Sequence, residues 1–256
     1  MLFERPQKDD DSTENNKVKI DREKFFGKHS IDSSRLANIW GIHGAEIYRV
    51  KESDLPAGSL NPKTRIKNKD GLITDVSNSY LMVTGADCFP ILICDSKRKA
   101  VGGLHAGWRG ILAGIASKAV VELRKAFNSV PGHLNVWIGP GIKSCHFEVK
   151  EDVVKLFKDY ARTYTDSPQH RNSVRGHART NAEIIQQDIM INRDGRYFID
   201  LPAIIKRQLV EAGIEFRKIT EHTDCTYCKK NEFFSYRRDK PNIIEANALI
   251  IHLKRE

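Results

Sequence analysis

The sequence predicts a sandwich of the α/β or α+β type rather than a regular doubly wound sheet, because its strand-like runs come in clusters with helices between only some of them. Apolar runs at Tyr80–Thr84, Pro90–Cys94 and Ala100–His105 follow one another in close order. The 256 residues, 40% of them hydrophobic, suffice for one large domain and do not demand two.

The elements follow from local pattern. Gln7 to Asn16, which includes Asp9–Asp11, is polar and predicted to be disordered. Turn residues from Pro56 to Gly71 separate a segment around His43 from Leu72–Thr74, and the three clustered strands come next. Ile111, Leu112, Ile115, Ala119, Val120 and Leu123 recur at helical spacing, so a helix starts after Gly110 and its first N–H groups offer an anion site. Leu134–Ile138 alternates as a strand and stops at Gly139-Pro-Gly141. Glu151 to Arg162 reads as an amphipathic helix, and Thr163 to Gly195 as a polar excursion with a short helix around Ala182–Ile191. Tyr197–Ile199 is a strand. Asp200 caps a helix with Pro202 in its first turn, running through Ile204 to Ala212 and closed by Gly213; Ala248–Leu253 is a final strand.

Composition excludes several classes. No stretch approaches the ~18 uninterrupted apolar residues of a membrane helix, and the start Met-Leu-Phe-Glu-Arg-Pro has no signal-peptide core, so the expectation is a soluble, cytoplasmic protein without a membrane partner. Five cysteines in such a chain read as reduced thiols. The net charge of +9 comes from scattered lysines and arginines without a basic stripe or nucleic-acid motif. It reads as a solvated basic surface that tolerates anionic ligands.

The chemistry concentrates in three segments. His105-Ala-Gly-Trp-Arg109-Gly110 ends an apolar strand with a histidine, a glycine turn and an arginine. Thr84-Gly-Ala-Asp87-Cys88 ends another with a carboxylate and a thiol, and His43 lies in Gly41-Ile-His43-Gly44. Singly, each reads as a hydrogen-bonded histidine or a packed cysteine. Together His43, Cys88 and His105 could hold one zinc ion with an open fourth position. A second group, His222-Thr-Asp224-Cys225-Thr-Tyr-Cys228, has the spacing of a zinc half-site or redox pair. A structural zinc would need further donors, available only from Cys94, Cys145 and histidines; otherwise one cysteine is packed and the other incidental. Phe233-Phe-Ser-Tyr-Arg237-Arg238-Asp239 joins aromatic rings to two guanidinium groups, suited to a flat ring or an anion, or else to a strand edge with a surface ion pair.

Five ordered blocks carry a resemblance. They are Thr84-Gly-Ala-Asp-Cys-Phe-Pro-Ile-Leu92; His105-Ala-Gly-Trp-Arg-Gly110; Ile138-Gly-Pro-Gly-Ile142 with Phe147-Glu-Val149; Asp200-Leu-Pro202 with Arg207-Gln-Leu209; and Cys225-Thr-Tyr-Cys228 with Phe233 to Asp239. The chain resembles the laccase-domain family, first described as multicopper polyphenol oxidase-like and now read as purine nucleoside phosphorylases, with a bacterial peptidoglycan-editing branch. The resemblance implies an α+β fold, a single-domain sandwich of mixed β-sheets flanked by helices, over residues 38–256, with 1–37 a divergent, partly disordered N-terminal segment. It implies zinc on His43, Cys88 and His105, the residues already singled out. It also implies phosphorolysis of adenosine, inosine and S-methyl-5′-thioadenosine to base and ribose 1-phosphate, with adenosine deamination alongside.

On that reading Asp87 is the carboxylate that shuttles a proton, Arg109 the phosphate clamp, and Arg237 and Arg238 further anion-binding candidates. The chain departs from the family in carrying Gly41 where a glutamine is usual, Lys240 to Glu245 in place of an arginine- and glycine-rich stretch, and no recognisable N-terminal signature before residue 38. Other classes use the same residues. A cysteine hydrolase or amidase acting on peptidoglycan precursors would take Cys88 as nucleophile and His105 as base. A non-catalytic binding protein keeps only the fold, and a copper phenol oxidase is disfavoured by too few clustered histidines and scarce methionine.

Overall fold

The computed structural model describes residues 2–5, 12–165, 189–240 and 244–254. A five-stranded sheet runs in the order β1 (Leu2–Arg5), β14 (Ile244–Leu253), β6 (Ser79–Gly85), β2 (Leu36–Trp40), β4 (Ile66–Lys67). A six-stranded sheet has the order β13 (Ile219–Glu221), β9 (Leu134–Ile138), β7 (Phe89–Asp95), β8 (Ala100–Ala106), β5 (Gly71–Thr74), β3 (Ile47–Arg49). A small sheet joins β10 (Glu148–Val149), β12 (Arg196–Ile199) and β11 (Met190–Arg193). The two large sheets are mixed: β2 lies parallel to β6 and β3 to β5, whereas β7 runs antiparallel to both β8 and β9.

The alternation of side chains explains the layering. On β6, Leu81 and Val83 face the core between the large sheets, while Met82 and Tyr80 face outward beneath helix α1 (Ser12–Lys28), against Phe25 and Phe26. On β7, Leu92 and Cys94 face the inter-sheet core, and Ile91 and Ile93 face the helices on the other side. Both large sheets are thus covered on two faces, which is why their strands read as near-continuous apolar runs. The helical layer contains α2 (Trp108–Leu112), α3 (Ile115–Phe127), α4 (Glu151–Thr165) and α5 (Leu201–Glu211); α6 (Tyr236–Asp239) is a single turn. The Asp200 side chain caps α5 by accepting from Ala203 N–H at 3.0 Å, as its position before Pro202 implied.

The fold is the expected sandwich, with local differences. The helix after Gly110 is two helices, because Gly114 adopts φ +79° and breaks the α2–α3 junction. The first of the two, α2, begins at Trp108 and has only five residues. Helix α1 begins at Ser12, inside the segment expected to be disordered, and its Arg22 is buried and donates to the carbonyls of Gly58 and Ser59, each at 2.7 Å. Residues 7–11 of that segment lie outside the described residues. Of the short helix expected around Ala182–Ile191, residues 182–188 lie outside them too, and Met190 begins β11 instead. No helix among the described residues is long and apolar enough to cross a membrane.

Candidate functional site

Three chain segments meet at one end of the six-stranded sheet. His43 follows β2 in a turn with φ +61°, Cys88 follows Asp87 (φ +85°) in the β6–β7 connection, and His105 lies near the end of β8. Because Phe89 pairs with Ala106 in the β7–β8 ladder, Cys88 and Gly107 fall side by side just past the last pair. The ligand atoms of His43, Cys88 and His105 lie within 4.8 Å of one another. A β-carbon on Gly107 would sit 2.9 Å from His43 Cδ2 and 3.1 Å from Cys88 Sγ, so the glycine leaves the space between the donors open. One thiolate and two imidazoles around an open position suit zinc, which takes mixed nitrogen and sulfur donors in catalytic sites.

Asp70, fully buried at the start of β5, organises this centre. Its Oδ1 accepts from His43 N–H at 3.0 Å and contacts His105 Nδ1 at 2.9 Å; its Oδ2 accepts from the N–H groups of Ile42 (3.2 Å) and Gly44 (2.7 Å). One carboxylate therefore shapes the His43 turn and sets the His105 tautomer, directing Nε2 toward the other donors. Burial pushes the Asp70 carboxyl up, but hydrogen bonds from His105 and the turn amides outweigh it and hold it below the usual range. Gly41 is required here, since a β-carbon would meet Asp70 Oδ1 at 2.5 Å and His105 Nδ1 at 2.9 Å.

Electrostatics couple Cys88 to His105. Burial raises the thiol's pKa, yet the adjacent His105, with a smaller contribution from His43, brings it down to about 6. Burial works against the imidazolium, but Cys88 and Asp70 raise His105 to about 9. Without a metal, the pair is a thiolate and an imidazolium near neutral pH.

A cavity of about 450 Å³ opens beside the three donors, a usual size for a small-molecule site. Trp108, Phe147, Tyr236 and Leu201 supply apolar lining, and Asp87, Arg109 and Arg237 supply charge. The Asp87 carboxylate is held at both oxygens, by the Thr226 hydroxyl and by the Arg237 N–H, each at 2.7 Å. Arg109 lies over the Trp108 ring, 4.2 Å from the centroid, and takes no carboxylate partner among the described residues. Arg237 reaches the cavity while donating to the Glu148 carbonyl at 2.8 Å. Arg238 is not brought to the cavity. Its guanidinium is spent on the carbonyls of Thr226, Tyr227 and Phe233 and on Asp239, so it braces the loop that carries Thr226. Of the second sequence group, Cys225 and Cys228 lie beside Cys145 and His146, whereas Cys94 packs toward the inter-sheet core.

Sequence reasoning missed Asp70 and Thr226. Asp70 stands in a turn-rich stretch, and its only signal was a carboxylate directly before a strand, at Asp70-Gly71-Leu72. Thr226 sits between two cysteines that drew attention away from it, and nothing local marks it as a partner of a residue 139 positions earlier.

The family described as multi-copper polyphenol oxidoreductase laccase matches residues 7–251. A Geobacillus stearothermophilus protein named purine nucleoside phosphorylase YlmD is 31% identical over 199 residues, 78% of this chain, and the match spans 65% of that relative's own length. A protein named adenosine deaminase, from an unknown prokaryotic organism, is 32% identical over 173 residues, covering 68% of this chain and 58% of the relative. The crystal structure of YlmD from Geobacillus stearothermophilus superposes with a TM-score of 0.79 at 28% identity, covering 94% of this chain and 82% of that one.

Proposed function

The chain belongs to the multi-copper polyphenol oxidoreductase laccase family, and on that premise we propose that it is a zinc-dependent purine nucleoside phosphorylase with accompanying adenosine deaminase activity. The observation that carries the reading is one cavity that joins a His-Cys-His donor set to an aromatic lining and an arginine with no carboxylate partner among the described residues. The names of the relatives point the same way. The substrates are purine nucleosides (adenosine, inosine and S-methyl-5′-thioadenosine) together with phosphate, and the catalytic domain spans 38–256.

His43, Cys88 and His105 hold the zinc, which when bound supplies Lewis acidity. Zinc is favoured over copper because the donor set is small and mixed. Trp108, Phe147 and Tyr236 offer faces for the purine. Arg109 holds phosphate beside the anomeric carbon, where positive charge develops on the ribose as the bond to the base breaks and the bond to phosphate forms. Arg237 is a second cation at the same wall. Asp87, fixed by Thr226 and by the Arg237 N–H, keeps free lone pairs facing the cavity and accepts a proton there.

The test is a product assay on the three nucleosides with and without phosphate, beside metal analysis. Base and ribose 1-phosphate formed only with phosphate support phosphorolysis, and inosine from adenosine supports deamination. Neither product, with zinc and phosphate supplied, refutes the proposal. The Cys88–His105 ion pair favours one second reading, a cysteine hydrolase or amidase acting on peptidoglycan precursors with Cys88 as nucleophile and His105 as base. A metal-free active protein inactivated by alkylation of Cys88 would establish it.

A further inference from the structure

Among the described residues, a second group of metal-binding side chains is left unused by the cavity chemistry. Cys145 and His146 stand on a tight turn closed by Lys143, whose carbonyl accepts from His146 N–H at 3.0 Å and from Phe147 N–H at 2.9 Å. Cys225 and Cys228 stand on a second turn, closed by Lys229 N–H donating to the Cys225 carbonyl at 3.0 Å. The two turns are laced together by the Gly141–Cys225 bridge and by Thr226 N–H donating to the Gly141 carbonyl at 3.1 Å. One donor atom from each of the four residues falls within 4.8 Å of all the others.

The spacings are those of a coordination polyhedron. A tetrahedron with sulfur at ~2.3 Å and nitrogen at ~2.0 Å from a zinc ion has sulfur–sulfur edges of roughly 3.8 Å and nitrogen–sulfur edges of roughly 3.5 Å, each within a few tenths of an ångström of the separations found here. Cys145 Sγ and Cys228 Sγ are 3.6 Å apart, and His146 Nδ1 lies 3.3 Å from each of them. The backbone N–H groups of Lys143, Tyr227 and Cys228 are directed at Cys225 Sγ, the first at 3.4 Å, as donors that stabilise a thiolate. His146 is held in place by stacking on Tyr227, ring centroids 4.0 Å apart and 16° from parallel. A disulfide would join only one pair of sulfurs, at ~2.05 Å, and would leave His146 and Cys225 without a reason to converge.

We propose that Cys145, His146, Cys225 and Cys228 form a structural zinc site, closed by four protein donors and separate from the open His43–Cys88–His105 centre. Binding displaces the protons of three thiols to solvent and cross-links two turns far apart in sequence. The consequence reaches the cavity, because the first turn continues into Phe147 and the second carries Thr226, which holds Asp87. This zinc braces the cavity wall without touching the substrate.

Metal analysis of the purified full-length chain tests it. The expected content is about two zinc ions per chain, with one lost in Cys225→Ser/Cys228→Ser and the other in Cys88→Ala. Should the double variant not fold, cobalt(II) substitution of the unmodified chain serves instead. A three-thiolate site gives a strong thiolate-to-cobalt charge-transfer band that weakens in Cys145→Ser and survives Cys88→Ala. A zinc content untouched by Cys225→Ser/Cys228→Ser, a cobalt spectrum of single-thiolate intensity, or a Cys145–Cys228 disulfide in the freshly isolated chain overturns the proposal. Metal lost in Cys225→Ser/Cys228→Ser but not in Cys88→Ala would support it while refuting the metal centre at the cavity.

Discussion

Asp70→Asn isolates the group on which the candidate centre depends. The carboxylate meets four partners, two at each oxygen: His43 N–H and His105 Nδ1 at Oδ1, and Ile42 N–H and Gly44 N–H at Oδ2. An asparagine keeps one acceptor and sets an NH2 group at the other. With the amide nitrogen at the Oδ2 position, Ile42 and Gly44 lose their acceptor and the His43 turn loosens. With it at the Oδ1 position, His43 N–H faces a donor, and His105 must take the other tautomer, which puts a proton on Nε2. Two hydrogen bonds to a charged acceptor at about 1.5–3 kcal/mol each amount to about 3–6 kcal/mol, a large part of the ~5–15 kcal/mol that stabilises a domain.

Because Asp70 orients one donor and shapes the turn of another, zinc affinity should fall by about 10–100-fold. Urea unfolding of the metal-free protein measures the first quantity, and competition with a chromogenic chelator the second. The sign of the pH effect follows from the lowered Asp70 pKa. Its contribution is present above the unfolded carboxyl value of ~3.9 and is lost as pH falls through the lower folded value, so the variant should lack that part of acid destabilisation. Wild-type zinc affinity together with an unfolding free energy within ~0.5 kcal/mol of wild type would refute the reasoning.

Four further outcomes are expected. Gly107→Ala should fold normally, because φ −74° suits any residue, yet its methyl group enters the space between His43 and Cys88; zinc affinity should drop by about tenfold or more, measured by the same competition. In the metal-free protein, iodoacetamide should alkylate Cys88 with a half-maximal rate near pH 6, slowing as pH falls below it, and His105→Ala should move that midpoint up toward the ordinary thiol range. Arg109→Gln should raise the KM for phosphate by about 10–100-fold at unchanged metal content, whereas Arg238→Ala should lower stability by about 2–4 kcal/mol through its stranded carbonyls. Steady-state kinetics and thermal unfolding separate the two arginines.

The strands and caps were legible where a short window carries the signal. Pro90–Cys94 and Leu134–Ile138 announce themselves by apolar content and by the turns that end them, and Asp200-Leu-Pro202 marks a helix start by capping chemistry alone. The break at Gly114 was not legible, because the apolar spacing continues across it while the backbone turns into the left-handed region. His43, Cys88 and His105 could be picked out because each stands at a strand end beside a turn. Arg238 shows the limit of that logic, since it has the charge and the motif of an anion clamp but is spent on backbone carbonyls.

Residue type and spacing by themselves determined the sandwich class, the family resemblance and the cluster of nitrogen and sulfur donors, because all three are written in patterns a few residues long. Tertiary structure alone decided how those donors are held: that Asp70 ties the His43 turn to His105, that Thr226 and the Arg237 N–H fix Asp87, and that Cys145 and His146 meet the cysteine pair some eighty positions later. Long-range pairing of polar groups leaves no local trace, since a buried hydrogen bond depends on where the sheets bring two segments together and not on what surrounds either of them in the chain.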